Sequence, residues 1–191
     1  ATGQEQWEIP SLPVEESGDI APSSAPAVAD GRVYAVVHER VSVGVDRAFL
    51  WAVDAKTGQK QWAVETLGSS LGVGATQPAV GGGRIFVQGP DAAKANQSLV
   101  VALDAATGKE RWRATVPVTQ SFNGSSWSGP ALLGDTLLVT GAHVLQARNA
   151  ATGRLHWSVA TKQPQPAVVV ASGGRLVVGG GIGQVEAFGA S

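Results

Sequence analysis

One pattern of eleven residues recurs along the chain, and its recurrence limits the possible folds more than any other feature. Residues 52–62 and 102–112 share Ala-x-Asp-Ala-x-Thr-Gly-x-x-x-Trp, residues 147–157 give a third copy, and residues 1–7 match the second half of a fourth. The glycines of the four copies, at positions 3, 58, 108 and 153, are spaced 55, 50 and 45 residues apart. A repeat of this length is typical of propellers and solenoids.

Each copy predicts a hairpin between two β-strands. Apolar residues alternate before it, as at Phe49, Trp51 and Val53, and the aspartate that follows offers an oxygen to the N–H groups of the turn. The glycine supplies the left-handed residue of a type I turn with a bulge. The tryptophan is expected early in the returning strand, where it can cover an adjacent sheet. The residues with this structural role are Gly3, Gly58, Gly108, Gly153, Asp54, Asp104, Trp7, Trp62, Trp112 and Trp157.

A second signature precedes each copy and completes the repeat. A proline and two or three small or apolar residues are followed by a tight turn such as Asp30-Gly31, and then by another apolar strand. One unit is therefore four antiparallel strands, which is one propeller blade. We expect an all-β protein, a β-propeller of four-stranded antiparallel blades with four blades per chain. The expected single propeller or half-propeller domain spans 1–191, with blades at about 24–65, 76–116, 128–160 and 165–191, the last completed by a strand at 5–10.

The repeat resembles the tryptophan-docking motif of pyrroloquinoline quinone dehydrogenases and their non-catalytic relatives, and the likeness covers nearly the whole chain. The resemblance implies a quinoprotein-type β-propeller. Two copies depart from the pattern, because Asn149 and Gly189 stand where the motif has aspartate. The sequence therefore does not predict an aspartate cap at these two turns.

Composition excludes several classes of partner. The net charge is −1, with 14 basic residues scattered among 15 acidic ones, so no basic stripe is available for nucleic acid. The longest apolar stretch, residues 167–171, is too short for a membrane span. Cysteine is absent, which removes disulfides and thiol chemistry.

Because the chain starts inside a repeat and without methionine, we expect that an upstream part of the protein is missing.

No residue is expected to be catalytic, to bind a cofactor or to ligate a metal. The resemblance implies that catalytic quinoproteins hold their cofactor above the propeller axis beside calcium, in many members with a ring of adjacent cysteines. This chain has no cysteine and about half the blades, so pyrroloquinoline quinone and calcium are expected only under the alternative, a fragment of such a dehydrogenase. The Gly-x-Ser-x-Gly sequence at 68–72 is interpreted as a loop, and the three histidines as solvated or hydrogen-bonded side chains.

Long, varied connections are expected at one end of the blades, at residues 10–23, 38–47, 67–75, 89–97 and 118–127. Variable loops on a rigid repeated frame are where binding is expected. The function expected is a non-catalytic binding or scaffold module that takes a protein or peptide and lies in the bacterial periplasm, on the cell surface or outside the cell. A carbohydrate-binding propeller is a second alternative, suggested by two aromatic residues, Phe122 and Trp127. The candidate interaction residues are His38, Glu39, Arg40, Asp46, Arg47, Phe122, Asn123 and Trp127.

The split motif also predicts an assembly. The chain ends with the first half of a motif at 184–191 and begins with the second half, so Gln6–Ile9 is a tryptophan strand without a blade of its own. This strand can close the last blade of the same chain or that of another copy. We expect a ring of about eight blades, because the motif resembles families at the upper end of the usual range of four to eight. A second copy, as a homodimer, or a sister segment would complete it.

Overall fold

The computed structural model describes residues 3–8, 21–22, 25–42, 45–67, 76–91, 94, 97–117, 129–162, 166–172, 175–180 and 185–189. Within these ranges all regular secondary structure is β-strand, and the strands form antiparallel sheets. An all-β fold is thus confirmed for the described part of the chain.

The sheets follow one another along the sequence, and each consists of strands that are consecutive in the chain. Sheet 1 contains β1 (Ala21–Pro22), β2 (Ala27–Ala29), β3 (Arg32–Ser42), β4 (Val45–Asp54) and β5 (Lys60–Leu67). Sheet 2 contains β6 (Ala79–Gly81), β7 (Arg84–Pro90), β8 (Gln97–Asp104) and β9 (Glu110–Pro117). Sheet 3 contains β10 (Ala131–Leu133), β11 (Thr136–Gly141), β12 (Val144–Asn149) and β13 (Leu155–Ala160). Sheet 4 contains β14 (Pro166–Ser172), β15 (Arg175–Gly180) and β16 (Val185–Gly189).

The turns inside each repeat have the predicted backbone conformation. Gly58, Gly108 and Gly153 have φ values of 72°, 70° and 73°, which are left-handed. The strand pairing shifts register within one residue of Ala52, Ala102 and Ala147, where the extra residue of a bulge is accommodated. The prediction of a left-handed glycine and a bulge is confirmed at all three turns.

The first strands of successive sheets lie against one another: β2 contacts β6, β6 contacts β10, and β10 contacts β14. The approach is close, since a Cβ on Gly81 would lie 2.3 Å from Cδ2 of Leu132. Glycine at position 81 therefore lets β10 pack against β6.

Three apolar clusters lie between neighbouring sheets and repeat the same arrangement. The cluster between sheets 1 and 2 contains Leu50 and Ala52 of β4 with Ile85 and Val87 of β7, all fully buried. Burying one such aliphatic side chain contributes about 1.5–3 kcal/mol. The equivalent clusters contain Phe86, Val100, Ala102, Leu137 and Val139 between sheets 2 and 3, and Leu138, Leu145, Ala147, Leu176 and Val178 between sheets 3 and 4.

Three of the expected connections differ in the structure. The prediction of a loop over 38–47 was wrong, because β3 and β4 continue as a paired hairpin up to Ser42 and Val45. Valines at 41, 43 and 45 favour the extended conformation there. Similarly, β7 and β8 extend to Pro90 and from Gln97, which shortens the connection expected over 89–97. Ala21 and Pro22, expected in a loop, pair with His38 and Val37 as strand β1.

Candidate assembly and binding surfaces

The hairpin turn of each repeat is held by one side-chain oxygen. Oδ1 of Asp54 accepts hydrogen bonds from the backbone N–H of Lys56 at 3.0 Å, from that of Thr57 at 2.8 Å and from the Thr57 hydroxyl at 2.9 Å. Oδ1 of Asp104 accepts the equivalent bonds from Ala106 and Thr107. These donors stabilise the charged carboxylates and hold the turns in the observed conformation.

The two aspartate turns differ in what lowers the pKa of their carboxyl groups. Bonds from Thr57 lower the pKa of Asp54 below its ordinary value. At Asp104, the pKa of the carboxyl is lowered to about 2. The largest cause is the guanidinium of Arg111, which lies 2.6 Å from Oδ2, and Thr107 contributes as well. An ion pair therefore adds to the cap of sheet 2.

Asn149 caps its turn as completely as the aspartates do. Its Oδ1 accepts bonds of 3.0 Å from the backbone N–H groups of Ala151 and Thr152 and from the Thr152 hydroxyl. The departure from the motif at this position thus leaves the turn intact, because the amide oxygen provides the same acceptor. At the other departure, the residues that follow Gly189 lie outside the described ranges.

Each capped turn receives a tryptophan from the preceding repeat. A Cβ on Gly58 would lie 2.9 Å from the ring of Trp7, and a Cβ on Gly108 would lie 2.8 Å from that of Trp62. The tryptophans are partly buried, and only a residue without a side chain permits this approach. The indole Nε1 of Trp7 also donates to the carbonyl of Ala55 at 3.0 Å.

The contact between sheets 2 and 3 has the same form. Trp112 packs on Gly153, and its Nε1 donates to the carbonyl of Ala150 at 3.1 Å. Between sheets 1 and 2 the hydrogen bond differs. The hydroxyl of Tyr34 donates to the carbonyl of Ala105 at 3.2 Å, and the buried Nε1 of Trp62 has no hydrogen-bond partner among the described residues. Sequence analysis missed this role of Tyr34, although it is the one tyrosine of the chain and replaces the phenylalanine found at position 86 of the next repeat.

A buried arginine joins sheets 2 and 3 near the docked turns. Arg148 is 8% exposed, and its guanidinium donates to the carbonyls of Gly153 at 2.9 Å and Thr115 at 3.0 Å. Its Nη2 also donates to Oε1 of Gln146 at 2.8 Å. Burial lowers the pKa of Arg148. The guanidinium thus bonds to neutral oxygens and fastens β9 to the turn of sheet 3.

A second buried polar group lies towards the opposite end of sheet 2. The amide Nε2 of Gln88 donates to the carbonyl of Thr140 at 2.7 Å and to the Ser98 hydroxyl at 3.2 Å. The hydroxyl and the backbone N–H of Thr76 both donate to the carbonyl of Gln88 at 3.0 Å. The bond from Gln88 to Thr140 ties sheet 2 to sheet 3.

The structure brings five of the predicted interaction residues together on one hairpin, which we call the β3–β4 tip and define as residues 38–42 and 45–47. Glu39 is paired with Arg47, and Arg40 with Asp46, so opposite charges occupy facing register positions. The tip projects, because β3 and β4 have 11 and 10 residues, whereas β7 and β8 have 7 and 8 and β11 and β12 have 6 each. His38 begins the tip, where it is paired with Ala48.

The remaining candidates lie outside the described residues or on other elements. Phe122, Asn123 and Trp127, and the Gly-x-Ser-x-Gly sequence at 68–72, lie outside the described residues. His143 and His156 are exposed and lie on different elements, the β11–β12 turn and β13. In the described ranges no group of three or more His, Asp or Glu side chains is placed to hold a metal ion. No helix long and apolar enough to cross a membrane is present there either.

Sequence analysis placed Trp51 in the apolar alternation of the strand but missed its contact with a cation. Trp51 is partly buried on β4, and the ammonium of Lys60 lies 4.3 Å from its ring centroid. Its equivalents in the next two repeats, Val101 and Gln146, are buried. A tryptophan at a repeat position that is otherwise filled by smaller residues was the signal available in the sequence.

Comparison with known proteins agrees with the repeat. The chain matches the family model described as "Outer membrane protein assembly factor BamB" over residues 1–92 and 47–190. It is 42% identical over 91 residues to "Quinohemoprotein alcohol dehydrogenase ADH-IIG" of Pseudomonas putida, which is 45% of this chain and 12% of that protein. The likeness to quinoprotein-type repeats is thereby confirmed.

Solved structures show the same fold. The crystal structure of BamB from Moraxella catarrhalis superposes with a TM-score of 0.66 at 21% identity, over 90% of this chain and 50% of that one. The computationally designed Ika4 protein gives a TM-score of 0.66 at 17% identity, over 99% of both chains. The chain therefore spans about half the length of that BamB and a small part of the dehydrogenase. It belongs to the β-propeller repeat family described as outer membrane protein assembly factor BamB.

Proposed function

We propose that this chain is a non-catalytic binding and scaffold module whose four sheets are four propeller blades, and that it binds a protein or peptide through the β3–β4 tip and the neighbouring connections. Three observations support a rigid frame: capped turns, tryptophans docked on glycines, and polar bonds between sheets at both ends. A rigid frame keeps a binding surface pre-organised, which reduces the entropy lost on binding.

The observation that carries the proposal is the projecting β3–β4 tip. It extends beyond the paired strands of sheets 2 and 3, and it carries two acidic and two basic residues at facing positions. Alternating charge on a projecting hairpin suits a polar partner of mixed charge, since such a surface selects by complementary charge. A protein or peptide surface has this chemistry.

The family supports a proposal for location and assembly. Because the family is described as an assembly factor for outer membrane proteins, we propose a periplasmic, cell-surface or secreted location. We also propose a functional ring of about eight blades completed by a second copy or a sister segment, and the coverage of half of a BamB chain supports this.

The experiment that tests binding is selection from a displayed random peptide library, followed by affinity measurement with two variants. One variant exchanges the charges of the tip in pairs, with Glu39→Lys, Arg40→Glu, Asp46→Lys and Arg47→Glu, and keeps opposite charges in register. The matched control is Lys56→Glu with Lys109→Glu at the exposed turns of the opposite end. We expect selected peptides to lose affinity for the tip variant and to keep it for the control. No selected peptide, or peptides indifferent to the tip, would contradict the proposal.

The alternative function is a fragment of a pyrroloquinoline quinone-dependent dehydrogenase, and the 42% identity over 91 residues to the Pseudomonas putida enzyme favours it. The donor set does not support it, because acidic and histidine side chains do not converge within the described ranges. Absorbance titration of the chain with the quinone and calcium distinguishes the two functions. Saturable binding would favour the dehydrogenase fragment.

A further inference from the structure

The outer strand of sheet 3, β13, differs from the outer strands of sheets 1 and 2. Charged side chains and proline on an edge strand oppose its pairing with a further strand. The residues of this kind on β5 and β9 are Lys60, Glu65, Glu110, Arg111, Arg113 and Pro117. β13 has none of them, and it is the last strand of its sheet. Sheet 3 packs on sheet 2 at one face and on sheet 4 at the other, so this edge is defined within the described part of the chain.

Two paired positions have reversed polarity in sheet 3. In sheet 2 the buried Leu103 is paired with Glu110 of the outer strand, and sheet 1 has the same arrangement of an apolar and a charged residue. In sheet 3 the charged residue, Arg148, is the buried one, and its partner Leu155 lies on the outer strand with 42% of its surface exposed. An exposed leucine therefore occupies an edge position that is charged in the two preceding sheets.

The main-chain groups of β13 that point away from its sheet follow from its pairing with β12. In an antiparallel pair, successive residues direct their N–H and C=O groups alternately towards the partner strand and away from it. The N–H of Thr161 donates to the carbonyl of His143 at 2.9 Å, which sets this alternation for the residues before it. Ser158 and Ala160 therefore direct their groups outward, and no further strand pairs with β13 in the described ranges.

The equivalent edge of sheet 2 is partly closed by the buried arginine. Thr115 of β9 is the equivalent of Ala160, and its carbonyl accepts a bond of 3.0 Å from Nη2 of Arg148 in the next sheet. The residue of sheet 4 at the position of Arg148 is Phe188, which packs on the apolar cluster and has no side-chain donor. The carbonyl of Ala160 thus receives no bond of this kind.

From these four observations we infer that β13 binds an extended segment of a partner protein, which adds to sheet 3 as a further strand. The main chain of the segment pairs with Ser158 and Ala160, and an apolar side chain of the segment covers Leu155. Two outward-directed residues provide at most two donors and two acceptors, so the edge suits a short linear segment. This surface is separate from the β3–β4 tip and goes beyond the proposed function.

A second copy of this chain fits the edge less well than a foreign segment. When β13 pairs antiparallel with another β13 about Ser158 and Ala160, Leu155 faces residues beyond Ala160, where the strand ends. A segment of a different protein can instead continue along the edge past Leu155 and cover it.

Proline substitution tests the main-chain pairing. Ser158→Pro removes one outward N–H and keeps the bonds to β12, because that N–H is not used within the sheet. The matched control is Ala63→Pro, at the equivalent exposed position of β5. The probe is a displayed random peptide library, selected on the chain with the charge-exchanged tip so that peptides that depend on the tip charges are not recovered.

We expect the selected peptides to bind Ser158→Pro about tenfold more weakly, which corresponds to one lost hydrogen bond, and to bind Ala63→Pro as before. An empty selection, or peptides indifferent to Ser158→Pro, would overturn the inference. Because the tip charges are exchanged throughout, such a failure leaves the proposed function to its own test.

A second variant blocks the edge without proline. Leu155→Glu with Ser158→Arg gives β13 the ion pair that Glu110 and Arg113 form on β9. We expect this variant to keep the unfolding temperature of the parent chain and to lose peptide binding. Retained binding would contradict the inference.

Hydrogen exchange followed by nuclear magnetic resonance locates the peptide directly. The amides of Ser158 and Ala160 should exchange at least about tenfold more slowly with peptide bound, whereas those of Arg113 and Thr115 on β9 should not change. Equal protection of both edges would contradict the inference. Protection of Ser158 and Ala160 without peptide that increases with protein concentration would also contradict it, because a second copy would then be the occupant.

Discussion

Trp112 packs against Gly153 of the next sheet so closely that a Cβ on the glycine would lie 2.6 Å from ring carbon Cε3. Gly153 also has a left-handed φ of 73°. Two separate effects therefore oppose any side chain at this position, and they can be measured apart.

We predict that Gly153→Ala lowers the free energy of unfolding by about 2–5 kcal/mol, through left-handed strain and overpacking together. Gly31→Ala is the matched control, because Gly31 has a φ of 71° and no heavy atom within 4 Å of its Cβ position among the described residues. The control should lose about 1–2 kcal/mol from strain alone. Urea unfolding measures both. Equal losses would mean that the ring does not lie on the glycine.

The tryptophan hydrogen bonds give a second prediction. Trp112→Phe removes a bond to the carbonyl of Ala150, whereas Trp62→Phe removes a buried N–H without a partner in the described part of the chain. Both substitutions lose similar ring area, so Trp112→Phe should be more destabilising by about 1 kcal/mol.

Tyr34→Phe is the third variant of this comparison, because the tyrosine hydroxyl donates the hydrogen bond to the carbonyl of Ala105 that Trp62 does not make. It should lower the free energy of unfolding by about 1 kcal/mol. Chemical denaturation of the three variants at one pH provides the measurement. A larger loss for Trp62→Phe than for Trp112→Phe would contradict the hydrogen-bond assignment.

Acid should weaken the cap of sheet 2. The folded-state pKa of Asp104, about 2, lies below its ordinary value of 3.8, chiefly because of Arg111. The charged carboxylate therefore stabilises the fold above pH 3.8, and this contribution is lost as the pH falls towards about 2. Melting temperatures measured across this window should fall less steeply for Asp104→Asn, whose amide oxygen can cap as Asn149 does.

The control for the acid prediction is Arg111→Gln, which removes the largest cause of the shift and leaves the carboxylate in place. It should raise the pKa of Asp104, observed directly by nuclear magnetic resonance titration. An unchanged pKa would show that Arg111 does not govern the carboxyl.

The buried arginine provides the fourth prediction. Arg148→Leu introduces the side chain that the preceding repeat has at Leu103. It removes the donor of Oε1 of Gln146 and of the carbonyls of Gly153 and Thr115. We expect a loss of about 1–3 kcal/mol for this single change. Adding Gln146→Val, which reproduces Val101 of that repeat, should recover the part of the loss that comes from the unpaired Gln146 oxygen, while the carbonyls of Gly153 and Thr115 remain without this donor. Failure of the second change to recover stability in a double-mutant cycle would count against this account.

The docked turns could be predicted from sequence because each depends on residues a few positions apart. The spacing of Asp54, Gly58 and Trp62 predicts the cap, the left-handed residue and the returning strand, and the structure has the first two at the predicted positions. Local chemistry determines all three, so no knowledge of the neighbouring sheet is required.

The tip was not predictable in the same way. Charged residues at 38–40 indicated a loop, whereas the chain continues as a hairpin, since pairing across β3 and β4 satisfies the backbone and leaves the charges at facing positions. Tyr34 was also missed, because its acceptor, the carbonyl of Ala105, is 71 residues away in the chain. Contacts of this kind depend on how the sheets are placed, which no local pattern specifies.

The tryptophans of this chain recognise the main chain of the next repeat. The acceptors are the carbonyls of Ala55 and Ala150, and the surface beneath the ring is the bare backbone of a glycine. A backbone carbonyl remains after any side-chain substitution. One repeat can therefore diverge in sequence and still accept the hydrogen bond from the tryptophan of its neighbour. Repeats joined in this manner can be duplicated, exchanged or divided between genes during evolution, and each new neighbour already carries the acceptor it needs.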